Sequence, residues 1–239
     1  MQETSKSRAR REAEGFDRFL RGKVLDIGCG DDKITPDADG WDLDNGDAQK
    51  LESVPSAFYD TVYSSHCLEH MRDPLEALLN WWRVLKPGGY LIVAVPDEDL
   101  YEQGVWPSLF NGDHKFTYTA SKSESWSMVS KNVVDLIRLL PGHRLVSLRT
   151  IDTGYDYDLG DLCDQTETGA EAHVEFIVQK VAAVGHQRSE LMRLFNCLAP
   201  NCGRAEYRME GMTAEGAIRC VCMGCGTAAE MTLKHGDAK

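Results

Sequence analysis

The sequence has no apolar run approaching the roughly 20 residues that a membrane-spanning helix needs, so a helical passage through a bilayer is excluded. Its first residues, MQETSKSRARREAEGF, carry charge with no apolar segment after them. They do not read as a secretory signal, and the expected location is the cytoplasm. Positive charge is also scarce, with 26 Lys and Arg against 38 Asp and Glu and a net charge of -12. The deficit lies in residues 24–185, where twelve basic residues face twenty-eight acidic ones. A body this acidic repels phosphate backbones, which argues against nucleic acid as its main partner. The basic residues near the start, among them Arg8, Arg10, Arg11 and Arg18, read as a solvated helix face able to touch an anionic partner. Cysteine is sparse until the end of the chain. Only Cys29, Cys67 and Cys163 precede the last 43 residues, which hold Cys197, Cys202, Cys220, Cys222 and Cys225. Clustered cysteines without a secretory signal suggest metal before disulfides.

What is present is an alternation of strands and helices. Residues 5–20 look helical, ending in Phe16, Phe19 and Leu20. KVLDIGCG reads as a buried strand running into a glycine-rich turn, GWDLD (40–44) as a second strand and YDTVYSS (59–65) as a third. Asp73-Pro74 is a helix start, an N-cap acid with proline at the first helical position. Leu75, Leu78, Leu79, Trp82 and Leu85 then recur at helical spacing until Lys86-Pro87-Gly88-Gly89 stops the helix. YLIVAV (90–95) has the continuous apolar character of a central parallel strand covered on both faces. About 30 aromatic-rich residues without periodicity follow, an ordered functional loop by composition. A helix is expected over 131–140, and strands 144–151 and 173–181 flank an acidic loop as an antiparallel hairpin. The pattern predicts an α/β, doubly wound, Rossmann-like and mostly parallel sheet with an antiparallel last strand over 1–184, its N-terminal helix within 1–21. A linker helix is expected at 185–196 and a small separate module at 197–239. Only eleven residues, Cys29–Asp39, separate the first glycine turn from the second strand, so the first crossover helix must be stunted, a single turn near Asp31–Ile34.

Asp26-x-Gly28-x-Gly30 stands at the carboxyl end of the first strand, where open α/β sheets bind ligands. The third glycine of the dinucleotide fingerprint is missing and Asp31 and Asp32 follow instead. Two carboxylates there disfavour a pyrophosphate cofactor and favour a cationic aminoacyl sulfonium. The segment SSHCLEH (64–70) contains H-x-x-E-H, the inverted zinc-peptidase signature. That chemistry needs His66 and His70 on one established helix and a third ligand downstream. The helix is expected to begin only at 73, so the peptidase reading falls. His66 is then expected to touch ligand where the loop leaves its strand, with Glu69 and His70 bracing the local structure.

VLDIGCG, GWDLD, GDAQKL, FYDTVYSSHCLEH and RVLKPGGYLIVAVP, in this order over about residues 22–97, resemble the class I S-adenosylmethionine-dependent methyltransferases, in the branch commonly labelled methyltransferase type 11. The resemblance implies S-adenosyl-L-methionine as cofactor. Asp26, Gly28 and Gly30 would line its methionine half. Asp42, with Asp44 as the alternative, would hold the ribose hydroxyls, and Asp47 and Ala48 would meet the adenine, with Leu68 nearby. Cys29, Leu43, Ser65 and His66 complete the expected cofactor contacts. Methyl transfer to a hydroxyl needs positioning and removal of a proton, and the candidate bases are His66, Asp97, Asp113 and His114. The segment 101–118 supplies aromatic walls and polar groups suited to a sugar or other polyol acceptor. The acidic loop 152–164 lies on the side where acceptors enter this fold.

The tail pairs Cys197-x4-Cys202 with Cys222-x2-Cys225, each pair ending in Cys-Gly, and resembles the two knuckles of a zinc ribbon. Four thiolates suit structural zinc, and a module this small needs a metal to fold. Cys220 is the alternative to Cys222. The leading expectation is methylation of a small polar or glycan-like acceptor, at a hydroxyl. The alternatives are an RNA or protein methyltransferase whose ribbon recruits the substrate or partner, and a non-catalytic scaffold that binds the cofactor. The N/D-P-P-Y motif of DNA base N-methylation is missing after the third strand.

Overall fold

The computed structural model describes residues 3–120, 122–160 and 162–181 in full, and beyond them the backbone of three strands at 207–212, 218–222 and 228–231. The chain divides into two compact units, Met1–Ala182 and Ala183–Lys239.

The first unit is built on a six-stranded sheet of β1 (Val24–Ile27), β2 (Asp39–Trp41), β3 (Tyr59–Ser65), β4 (Leu85–Pro96), β7 (His143–Ile151) and β8 (His173–Lys180), in the order β2-β1-β3-β4-β8-β7. The first four strands are parallel, and β8 and β7 add antiparallel. This mostly parallel mixed sheet is Rossmann-like. The hairpin pairs His143 with Lys180 at one end and Ile151 with His173 at the other. The strand order reverses direction between β1 and β3, which makes a crevice at their carboxyl ends. Two short strands, β5 (Tyr118–Thr119) and β6 (Lys131–Asn132), pair separately.

Helix α3 (Pro74–Val84) starts where the sequence places it. The Asp73 carboxylate accepts from the Leu75 and Glu76 N–H groups at 2.9 and 3.1 Å, and Pro74 needs no such acceptor. Ala77, Leu78, Trp81 and Val84 turn one face to the sheet and are fully buried. Each of the larger apolar side chains contributes about 1.5–3 kcal/mol by leaving water. The shorter α4 (Val133–Arg138), capped by Asn132, adds Val133, Leu136 and Ile137 to the same core.

On the other face lie Phe16 and Phe19 against Tyr63, Ile92 and Ile177. The predicted helix over 5–20 is in fact two short helices, α1 (Glu3–Lys6) and α2 (Arg8–Ala13), and a 3-10 turn, Phe16–Phe19. Gly15, at φ 63°, adopts the left-handed conformation that breaks the helix before that turn. The first crossover holds no helix at all: residues 28–38 are turns and bends. Eleven residues leave no length for a helix that also returns to the sheet, and α1 and α2 lie beside this crossover. A cavity of about 600 Å³ lies between it and the N-terminal segment, lined in part by Arg8, Arg11, Asp31, Asp32 and Lys33.

Arg10 and Arg11 do not form a solvated face. Arg11 reaches Glu175 of β8 at 2.8 Å and donates to Tyr63 Oη at 2.7 Å, and Arg10 reaches Glu171 at 2.9 Å. Glu175 is 1% exposed, so this cluster pins α2 across the sheet from within.

In the second unit β9 (Tyr207–Met212), β10 (Ile218–Cys222) and β11 (Ala228–Met231) form an antiparallel sheet in the order β11-β10-β9. The predicted linker helix at 185–196 and the expected metal ligands Cys197, Cys202 and Cys225 lie outside the described residues. Cys222 ends β10, and only its backbone is described.

Candidate active site

A cavity of about 630 Å³ opens at the carboxyl ends of β1, β2 and β3, within the size range of small-molecule sites. Gly28 forms its floor. It sits at φ 74°, and a Cβ there would come within 2.6 Å of the Cys67 side chain, so only glycine fits. Its N–H donates to the Trp41 carbonyl at 2.8 Å, which joins the β1 turn to the end of β2.

Asp42 lines the cavity in a defined orientation. One carboxylate oxygen accepts from Gly30 N and the other from Leu43 N, both at 2.8 Å. Each oxygen keeps a second lone pair for a ligand. Asp44 is exposed in the adjoining 3-10 turn, Leu43–Asn45, and does not line the cavity. Asp47 lines it too, with its carboxylate held by Gln49 N at 2.9 Å and by Arg72 at 2.8 Å. Trp41, Leu43, Ala48 and Met71 supply apolar wall. Leu43 is 92% exposed, an uncovered apolar surface beside Asp42.

A second cavity, of about 140 Å³, adjoins the first, and His66 and His70 line both. Its other walls are Glu3, Glu69, Pro96, Tyr101, Asn111, His114 and Thr166. His66 adopts φ 52°, a left-handed conformation uncommon for a residue with a Cβ, directly after β3. Its N–H donates to the Ala94 carbonyl at 2.9 Å, its Nδ1 lies 2.9 Å from Ser65 Oγ, and its ring packs on His173. Burial, and then the neighbouring His173, lower the His66 pKa well below its ordinary value, so the ring is neutral at neutral pH.

Glu69 and His70 follow in the 3-10 turn Leu68–His70. Glu69 is fully buried and both its carboxylate oxygens lack a hydrogen-bond partner. Burial raises its pKa to about 8. His114 is buried, with Nδ1 2.7 Å from Glu102 Oε1.

The remaining expected site residues are placed as follows. Asp26 is 1% exposed and accepts from Ile34 N at 2.6 Å, so it anchors the crossover loop instead of lining the larger cavity. Burial raises its pKa to about 7. Gly30 lines the cavity under α1 and α2 and reaches the larger one only through its N–H to Asp42. Cys29 packs against Gly40, and Ser65 contacts the larger cavity only through His66. Leu68 is buried in the core. Asp97 lines neither cavity, and one oxygen of its carboxylate caps the turn after β4, accepting from Asp99 N and Leu100 N at 2.9 and 3.2 Å. Asp113 stands at the rim, exposed, 2.9 Å from His70 Nδ1. Trp41, Gln49, Met71 and Arg72 of the larger cavity, and Glu102 behind the smaller one, carried no signal of their own in the sequence. Gln49 and Arg72 flank the GDA and EH segments, so their place becomes visible only once those segments meet.

Residues 2–146 match the family described as a methyltransferase domain. The chain belongs to the methyltransferase domain family. It is an enzyme, a methyltransferase dependent on S-adenosylmethionine. No curated protein matches the sequence. Among solved structures, an Archaeoglobus fulgidus SAM-dependent methyltransferase is 20% identical, with a TM-score of 0.49 over 75% of this chain and 95% of that one. A Thermotoga maritima SAM-dependent methyltransferase, described as a possible histamine N-methyltransferase, is 19% identical, with a TM-score of 0.43 over 75% of this chain and all of that one.

The methyltransferase's larger cavity suits this cofactor. Asp42 offers paired acceptor oxygens to a diol, Asp47 offers an acceptor to an amine, and the apolar wall suits a purine face. Arg72, the basic side chain on that wall, is already engaged by Asp47, which leaves no free cation for a phosphate group among the described lining residues. Among the described residues, no helix is long and apolar enough to cross a membrane.

Proposed function

We propose that this methyltransferase transfers a methyl group to a hydroxyl of a polar small-molecule or glycan-like acceptor held in the smaller cavity. The observation that carries the reading is His66, a neutral imidazole shared by the two cavities and fixed at the end of β3. When bound, the cofactor supplies an electrophilic methyl carbon on a cationic sulfur. With its hydrogen on Nδ1, 2.9 Å from Ser65 Oγ, His66 would present the Nε2 lone pair and take the proton of the acceptor hydroxyl as that oxygen is methylated, the cofactor leaving as a neutral thioether. The smaller cavity's side chains are almost all hydrogen-bonding groups, which suits a polyol better than an apolar amine. No Lys or Arg stands among its described lining residues to receive a polyphosphate backbone as acceptor.

The tail module belongs to the same proposal. We take it to hold structural zinc through Cys197, Cys202, Cys222 and Cys225, and to be the surface through which a protein or nucleic-acid partner would bind. The antiparallel strands β9–β11 support a ribbon-like module.

The test is methyl transfer from labelled S-adenosylmethionine to pools of polyols, glycans, RNA and protein, with the product bond identified. Label is expected in an O-methyl ether, and His66→Ala is expected to lower kcat by about 10²–10⁴-fold, with cofactor affinity kept within a few-fold. Label on nitrogen, or an unchanged kcat in the variant, would contradict the reading.

A further inference from the structure

We propose that Glu69, His70 and His114 bind a divalent transition-metal ion beside the cofactor cavity, with an acceptor oxygen as a further ligand; this second role rests on the hydroxyl reading above.

The three side chains each offer one ligand atom, and these atoms lie within 4.8 Å of one another. Glu69 Oε1 is 3.9 Å from His70 Nε2 and 4.0 Å from His114 Nε2. The protons on both rings are fixed by what lies behind them. His70 Nδ1 is 2.9 Å from Asp113 Oδ2, and His114 Nδ1 is 2.7 Å from Glu102 Oε1. An ionised carboxylate only accepts, so each Nδ1 carries the hydrogen and each Nε2 presents a lone pair. Two nitrogen lone pairs and an oxygen of the Glu69 carboxyl group thus converge, with no donor from another side chain on the Glu69 oxygens. Their separations are too long for hydrogen bonds and suit ligand atoms around a cation.

Glu69 supplies the second, independent observation. Its side chain is 0% exposed, and neither carboxylate oxygen has a hydrogen-bond partner. A buried carboxylate without donors is costly, and a bound cation removes that cost. Zinc-like ions take nitrogen and oxygen ligands at about 2.0–2.2 Å, so ligand atoms stand roughly 3.0–3.5 Å apart around them. Side-chain movements of under about 1 Å close the present gaps. Carboxylates hydrogen-bonded behind ligand histidines are the usual support of such sites, and Asp113 and Glu102 take that position. The backbone holds the pieces together: Lys115 N donates to the Glu69 carbonyl at 2.9 Å, which fastens the loop carrying His114 to the turn carrying Glu69 and His70.

Two imidazoles and one carboxylate select a first-row transition ion over magnesium or calcium. Three protein ligands leave coordination positions open, and these face the smaller cavity, where His66 stands. An acceptor hydroxyl bound there becomes more acidic, its proton passes to His66 Nε2, and its oxygen keeps the electron pair that attacks the methyl carbon.

The test is a count of cobalt(II) ions bound to the full chain after loading and removal of excess, alongside Glu69→Gln and His114→Asn. The tail cysteines supply a background ion with sulfur-to-cobalt absorption in the near ultraviolet, common to all three proteins. Each variant is expected to bind one ion fewer than the parent and to lose its weaker visible bands. Glu69→Gln keeps the shape of the buried side chain, so its metal-free thermal midpoint should stay close to the parent's, while the rise that cobalt gives the parent is lost. Glu102→Gln is expected to weaken the ion about 10- to 100-fold. Equal ion counts in parent and variants, or a parent whose midpoint cobalt does not raise, would overturn the proposal. The count needs no acceptor, so it is decided independently of which group is methylated.

Discussion

Asp42 shows how one side chain is prepared for a ligand before the ligand arrives. Gly30 and Leu43 donate to its two oxygens and fix the carboxylate, and the remaining lone pairs face the larger cavity. Hydrogen bonds to a charged group contribute about 1.5–3 kcal/mol, so Asp42→Ala should weaken S-adenosylmethionine binding roughly 10- to 100-fold by calorimetry, with little change in thermal midpoint. Unchanged affinity would move the ribose role to Asp44 or remove the assignment. The places of Asp42, Gly28 and His66 on the larger cavity were legible because each sits just past a strand end, and that of Asp47 was legible from the GDA motif. Glu102 was not, since it lies in an aperiodic loop and matters only through His114. Asp97 sits just after a central strand, where an acid looks catalytic, yet it lines neither cavity and one of its oxygens accepts from two backbone N–H groups.

At the scale of elements, α2 is held to β8 by charge. Arg10 and Arg11 from α2 and Arg149 from β7 surround Glu175, with Tyr63 of β3 on Arg11, Glu14 on Arg149, and Glu171 and His173 alongside. Burial alone would raise the Glu175 pKa, but Arg11 and Arg10 outweigh it and bring it down to about 2. A folded-state pKa below the unfolded value of about 4.3 contributes stability above that value, which is lost as pH falls toward the folded pKa. The stability difference between the parent and Glu175→Gln in urea should therefore be full near pH 6 and shrink between about pH 4.5 and pH 2. A difference that does not vary with pH would show that the cluster adds no charge-dependent stability. Comparing parent with variant cancels the opposite slopes from Asp26 and Glu69, whose pKa values are raised. None of this was legible: Arg11 and Glu175 are 164 residues apart, and a basic helix start looks solvated until its partners arrive. Elements fixed by local chemistry were legible almost to the residue. β3 occupies the alternating 59–65 stretch, and α3 begins at Pro74 behind its Asp73 cap. The missing crossover helix followed from length, though its complete loss went beyond the expected single turn.

At the scale of the whole molecule, the chain divides near residue 182, close to the change from an acidic body to a cysteine-rich tail. Truncation after Gly185 should leave a folded methyltransferase unit with its cofactor affinity intact and remove the ion proposed for the tail cysteines, read by metal analysis and circular dichroism. A truncated chain that retains every ion, or fails to fold, would contradict this division. The central claim is that the crevice at the carboxyl ends of β1, β2 and β3 binds S-adenosylmethionine, and calorimetry on the full chain tests it most directly. The account predicts one molecule bound per chain, with affinity lost when a Cβ is introduced at Gly28 while the fold persists by circular dichroism. Saturable binding that is unaffected at Gly28, or no binding by the folded parent, would contradict it.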